Sequence, residues 1–169
     1  MNALYEFQKQ EELPALTLSN SSKPITGYIN CMKQIARKYE IFAVSDFELE
    51  LEEILREKMS AHYAVHYMKP KILEKRKEFL AKIIPEWIQL NARLEKNGGD
   101  FACGNCLSWV DFFLYSVYTL YIQYQPELAM RCNWIHRHAM RLLRNEGLQK
   151  FVYGNGQDWE PGMRGRLGQ

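Results

Sequence analysis

From about residue 26 to residue 153, apolar side chains recur every three to four positions with charged residues between them, which predicts a succession of amphipathic helices. Residues 27–39 carry Ile29, Met32, Ile35 and Ala36 on one side and Lys33, Arg37 and Lys38 elsewhere, the pattern of a first helix. Ser45 and Glu48 have capping-box spacing, in which hydroxyl and carboxylate each reach the other's backbone amide. A long helix is expected from there to about Met68, through Leu51, Ile54, Leu55, Met59, Tyr63, His66 and Tyr67. Pro70 suits the first position of the next helix, where a missing N–H costs nothing. That helix runs to about Lys96, is expected to kink at Pro85, and stops at Asn97, Gly98 and Gly99. Upstream, residues 13–18 form a β-prone run starting near Pro14 and closed by the turn cluster 19–22, with room for one more short strand near 22–25.

The stretch 101–112 is the most structured signal. Ser108 precedes Asp111 by three residues, so the two are placed to satisfy each other's amides, and Leu107 and Phe112 stand at the positions of a hydrophobic staple. The helix that follows, to about Gln125, is apolar nearly all round and belongs in a core. Pro126 opens a short helix, Asn133 is the expected cap of another running through Arg144, and Gly147 is expected to end it. Five of the last 16 residues are glycine, which predicts a mobile tail over 154–169.

With 47% apolar and 25% charged residues in 169, the chain falls in the globular range and can bury a core. No segment approaches the roughly 18 apolar residues of a membrane span, and the first residues lack signal-peptide character, so a cytoplasmic protein with no membrane partner is expected. A net charge of +2 gives no reason to expect a nucleic-acid partner. Lysines and arginines between 69 and 82 read as a solvated helix face; His136, Arg137, His138, Arg141 and Arg144 form a second basic cluster that could meet RNA or an acidic protein. The four cysteines are taken as reduced thiols. Cys103, Cys106, Cys132 and His136 have a spacing acceptable for tetrahedral zinc, but the cap and staple already account for the loop, so no metal is expected. A thioredoxin-type role for Cys103 and Cys106 is weakened because no strand precedes them. His62 and His66 lie one turn apart among Tyr63 and Tyr67, which reads as a polar and aromatic groove wall.

The unit Phe101-x-x-Gly104-x-x-Leu107-Ser108-x-x-Asp111, following two long helices and entering an apolar one, resembles the entry to the central helix of the glutathione S-transferase C-terminal domain. Upstream, Leu13-Pro14-Ala15-Leu16, a turn, Lys23-Pro24-Ile25-Thr26 and a helix ending at Tyr39 resemble the last half of that family's thioredoxin-like domain, and the stretch before the motif is most similar to the sigma class. The resemblance implies a mainly α fold: a transferase-like helical bundle with a partial thioredoxin-like α/β remnant at the N-terminus. The implied division is a remnant over 1–42, a helical domain over 43–153 and the tail over 154–169. It also implies thiolate transfer from glutathione to electrophiles, isomerisation or peroxide reduction, with glutathione as co-substrate and no other cofactor. Leu13, Pro14, Gly27 and Tyr28 fall where the family holds glutathione, and Tyr63, His66 and Tyr67 where it lines the hydrophobic co-substrate site. Two departures stand out. Gly27 and Tyr28 replace a Gln-Ser or Glu-Ser pair that clamps the γ-glutamyl end, and only 12 residues precede Leu13, where the family has a β-α-β unit with its catalytic Tyr, Ser or Cys. No residue is assigned that catalytic role; Tyr5 would need a specific donor to shift its phenol. Weak or absent activity is therefore expected, the alternative being a non-catalytic interaction subunit such as those of translation or aminoacyl-tRNA synthetase complexes. An incomplete sheet has an open edge, so a homodimer or a heteromeric partner is expected.

Overall fold

A computed structural model describes residues 15–16, 24–42, 45–66 and 73–149. The order is β1 (Ala15–Leu16), β2 (Ile25–Thr26), α1 (Tyr28–Tyr39), α2 (Asp46–His66), α3 (Leu73–Lys96), α4 (Trp109–Ile122), α5 (Leu128–Arg131), α6 (Asn133–Leu142) and α7 (Glu146–Gln149). The fold is mainly α, a helical bundle preceded by a small α/β piece in which β1 and β2 pair antiparallel, Ala15 opposite Thr26 and Leu16 opposite Ile25. Leu13, Pro14, Tyr5, Tyr67, Pro70 and the tail 154–169 lie outside the described residues.

The apolar character of α4 puts it at the centre: Val110, Phe113, Leu114, Val117, Tyr118 and Tyr121 are all buried. Leu51 and Leu55 of α2, Trp87, Leu90 and Leu94 of α3, and Ile135 and Ala139 of α6 close around it. Helices α2 and α4 run in the same direction. Near their starts Trp109 Nε1 donates to Glu48 Oε1; further along, Tyr121 Oη donates to the Lys58 carbonyl at 2.6 Å. At Ser45 the hydroxyl accepts from the Glu48 amide at 3.2 Å, while the Glu48 carboxylate reaches across to α4.

Two helix boundaries differ from the sequence expectation. Asn133 is the first residue of α6 and Cys132 occupies the cap position; the acceptor comes instead from α3, where buried Asn91 Oδ1 takes the Ile135 amide at 3.0 Å. A cap supplied by another helix leaves no mark in the local sequence. Gly147 does not end the helix after Asn133, since α6 stops at Leu142 and Gly147 lies within α7. Pro85 sits inside the continuous helix α3. That helix ends before Gly98, whose φ of 70° is one that glycine adopts without strain.

Helix α1 is tied to the bundle by charge as well as by Ile29 and Ala36. Lys33 Nζ lies 2.5 Å from Glu52 Oε2 and 5.6 Å from the centre of the Trp109 ring, and Arg56 Nη2 approaches the other Glu52 oxygen at 2.7 Å. Burial opposes the charged form of Glu52, but hydrogen bonds and charge from Lys33 and Arg56 outweigh it and hold its pKa below the usual glutamate value. A carboxylate depressed in this way stabilises the fold above its unfolded pKa, and that stabilisation is lost as pH falls through the native value. Lys33→Met is expected to cost about 1 to 2 kcal/mol at pH 7, with Arg56 still present, and much less below about pH 4. Urea unfolding at both pH values checks this; an equal loss at pH 7 and pH 3 would mean that the pair contributes nothing through charge.

Candidate functional site

The turn between β2 and α1 holds Gly27 and Tyr28. Gly27 is the N-cap of α1 with φ 87° and ψ 137°, a backbone state that L side chains resist, so the geometry itself favours a residue without a side chain here. The Gly27 carbonyl accepts the Cys31 amide at 3.0 Å, and the turn is steadied by Asn30 Nδ2 donating to the Thr26 carbonyl at 3.0 Å. Tyr28 is 37% exposed, and its ring centre is 6.1 Å from that of Phe113 on α4. Phe113 stacks in turn on Trp109, 5.9 Å away and inclined by 14°. Positions 27 and 28 thus carry a glycine and a phenol, with no short polar side chain between them.

A second group forms where the C-terminal ends of α2 and α4 meet. His62, 8% exposed, has the rings of Tyr63, Tyr121 and Tyr124 at 5.7, 5.5 and 5.7 Å. Below it Lys58 is buried, with Nζ 2.9 Å from Glu86 Oε2 and 5.3 Å from the Trp87 ring. Tyr63 belongs to this cluster, and His66 is the last residue of α2. Tyr121 and Tyr124 were not candidates in the sequence. Their spacing alone reads as core packing, and only the parallel run of α2 and α4 brings them to His62.

The start of α4 holds a buried carboxylate with three partners. Asp111, fully buried, accepts from the Ser108 amide at 2.7 Å with Oδ2, and from the Ala102 amide at 2.7 Å with Oδ1. His138 Nε2 of α6 stands 2.7 Å from the same Oδ1. The Asp111 amide donates to the Ser108 carbonyl at 3.0 Å; the Ser108 hydroxyl holds the capping-box position over that amide, without a hydrogen bond of good geometry. His138 is thus no part of a basic surface: it is 2% exposed and stacked on Trp134, with ring centres 5.1 Å apart. His136 likewise turns inward, its Nδ1 3.2 Å from Tyr118 Oη.

The cysteines do not converge. Cys103 is half-buried near Ser45, Asp111 and Glu48; burial, then the two carboxylates, push its thiol up to about 12. Cys132 is buried elsewhere, beside Lys58 and Arg131, and burial raises its thiol to about 11. Cys106 is exposed. Such thiols are poor nucleophiles at neutral pH where buried. Among the described residues no three His, Cys, Asp or Glu side chains stand together as a metal would require. No helix among them is long and apolar enough to cross a membrane.

Known proteins are similar in the same regions. Residues 55–153 match the family model of the glutathione S-transferase C-terminal domain. The crystal structure of the glutathione S-transferase Blo t 8 superposes with a TM-score of 0.68 and 18% identity, over 88% of this chain and 74% of that one, a likeness of fold. No curated protein sequence matches the chain. The family model spans more than half of the sequence and covers the helices α3 to α6 that build the bundle around Asp111, and on that ground the chain belongs to the glutathione S-transferase family through its C-terminal domain.

Proposed function

We propose that this is a glutathione S-transferase-like protein of the sigma-class pattern with little or no thiol-transfer activity in the form of these 169 residues. The observation that carries the reading is the turn at Gly27 and Tyr28. The glycine is held by its positive φ and the tyrosine ring lies toward Phe113, so neither offers the short polar side chain that would clamp the γ-glutamyl carboxylate. In this reading Leu13, Pro14, Gly27 and Tyr28 are the degenerate counterpart of a glutathione site, while Tyr63, His66 and Tyr67 line a hydrophobic-substrate wall, with Tyr63 backed by the ring of His62. No cofactor is proposed beyond glutathione as co-substrate, and the proposed location is the cytoplasm.

Calorimetric titration of the chain with glutathione tests this: affinity weaker than about 1 mM is expected. A micromolar dissociation constant would show that another set of donors has replaced the clamp.

The second reading, a non-catalytic subunit of a larger assembly, draws on α1. Tyr28, Ile35 and Tyr39 are 37%, 44% and 65% exposed at helical spacing along one stripe. Apolar exposure of that kind favours a homodimer or a heteromeric partner on the α1 side, with residues 1–42 and 43–153 as the two units of the chain.

A further inference from the structure

We propose that Asn97 is a site of spontaneous deamidation to isoaspartate, and that its conversion loosens the start of α4. An asparagine followed by glycine is the pair in which the next backbone nitrogen attacks the side-chain amide most readily, because glycine has no β-carbon to hinder the approach. Asn97-Gly98 is such a pair, just past the end of α3. Both residues are exposed, and nothing stands within 4 Å of the place a Gly98 β-carbon would take. Among the described residues the Asn97 side chain has no hydrogen-bond partner. The helix end itself is loosely closed. The Gly98 amide donates to the Glu95 carbonyl at 3.2 Å, and the Asn97 amide is shared between the carbonyls of Arg93 and Leu94 at 3.3 and 3.2 Å. Such long bonds at a fraying terminus open at little cost and free the Gly98 nitrogen.

The step needs only water. The Gly98 nitrogen gives its proton to solvent base and bonds to Asn97 Cγ; the Cγ–Nδ2 bond breaks, and ammonia leaves with a proton returned by solvent. Water then opens the succinimide. Attack at Cγ gives aspartate, and attack at the backbone carbonyl carbon gives isoaspartate, whose main chain runs through Cβ and is one atom longer. No electron is gained or lost. The consequence follows from what holds the next residues. Arg141 Nη1 of α6 lies 2.9 Å from Asp100 Oδ1 and donates to the Asp100 carbonyl. The Gly99 backbone abuts that of Gly104, which is bonded to Phe101, and the Ala102 amide beside them is held by Asp111. An added main-chain atom has only Gly98 and Gly99 to absorb it, and the second of these is wedged against Gly104. The new carboxylate also falls at the carbonyl end of α3, where the helix dipole opposes negative charge. Asn105 and Asn145 are exposed too, but they precede Cys106 and Glu146 and lack the unhindered nitrogen.

Incubation of the full chain in mildly alkaline buffer at body temperature, followed by fragmentation mass spectrometry that separates aspartate from isoaspartate, tests the site. Asn97 should convert at least about tenfold faster than Asn105 and Asn145, with isoaspartate the main product. Conversion no faster than at those two overturns the proposal. Asn155-Gly156, outside the described residues, is the same pair, and the digest reads it separately. Urea unfolding of fresh and aged samples tests the coupling to α4, with Asn97→Gln as the blocked chain, since the longer side chain must close a larger and less favourable ring. Each chain is compared with its own fresh sample, and both retain Asn155. Aging should lower the midpoint of the wild type more than that of Asn97→Gln. Equal shifts in the two chains, with Asn97 converted in the wild type, would show that the start of α4 does not feel the change and would overturn the coupling.

Discussion

Asp111→Ala is expected to lower the free energy of unfolding by about 3 to 5 kcal/mol, several times the cost of losing an ordinary surface cap. The carboxylate joins three parts of the chain that are distant in sequence or element: the amides of Ala102 and Ser108 and the ring of His138. Removing it leaves two amides and an imidazole nitrogen in a site with no solvent access, and each unmet group carries its desolvation cost. Asp111→Asn keeps the shape and one acceptor and is expected to fall between the two. Urea unfolding followed by far-UV circular dichroism measures the change; a loss near 1 kcal/mol for Asp111→Ala would reduce the residue to an ordinary cap. Nothing in this role requires Asp111 or Ser108 to touch a substrate.

Trp109→Ala should be nearly as damaging, at about 3 to 5 kcal/mol, through the void left by a fully enclosed indole. Its ring stacks on Phe113, takes Lys33 over one face and gives its N–H to Glu48, so one side chain joins α1, α2 and α4. Trp109→Phe retains most of the stacking and removes one donor from a buried carboxylate, and is expected to cost about 1 to 3 kcal/mol. The comparison separates packing from hydrogen bonding. If Trp109→Ala loses less than the Phe variant, the indole is not what fastens α1 to the bundle, and the position of the Gly27 turn must be set by Ile29, Ala36 and the Lys33–Glu52 pair.

Periodicity and capping chemistry suffice to locate the long helices, because those signals are local: a hydroxyl three residues before an acid, an apolar residue every turn, glycines after the last one. Ser108 and Asp111 are found that way. What spacing cannot convey is the reach of Asp111 to Ala102 and His138, since the second of these lies 27 residues away on another helix. His138 sits between Arg137 and Arg141 and so reads as surface charge, although its position one turn after buried Trp134 and Ile135 assigns it to the inward side. The same holds for Asn91 as a cap for α6 and for the tyrosines around His62. In each case the partner is chosen by helix packing, which a one-dimensional pattern records only as an apolar stripe. Gly27 is a different case: its departure from a polar clamp is visible in the sequence, but the positive φ that makes glycine fit there is not.

The connection from Asn97 to Leu107 behaves unlike the surface loops that usually accept extra residues. Phe101 and Gly104 exchange backbone hydrogen bonds at 2.8 and 3.1 Å, closing a miniature hairpin. A β-carbon on Gly99 would come within 2.1 Å of the Gly104 carbonyl oxygen, so the two backbones touch where a side chain would stand. Ala102 is wholly enclosed and is held to Asp111. For anyone who wishes to splice a tag, a reporter or a new pair of chain ends into this protein, the segment is closed ground despite its lack of helix. Lengthening it would pry the start of α4 from its anchor, and the place for foreign sequence is elsewhere.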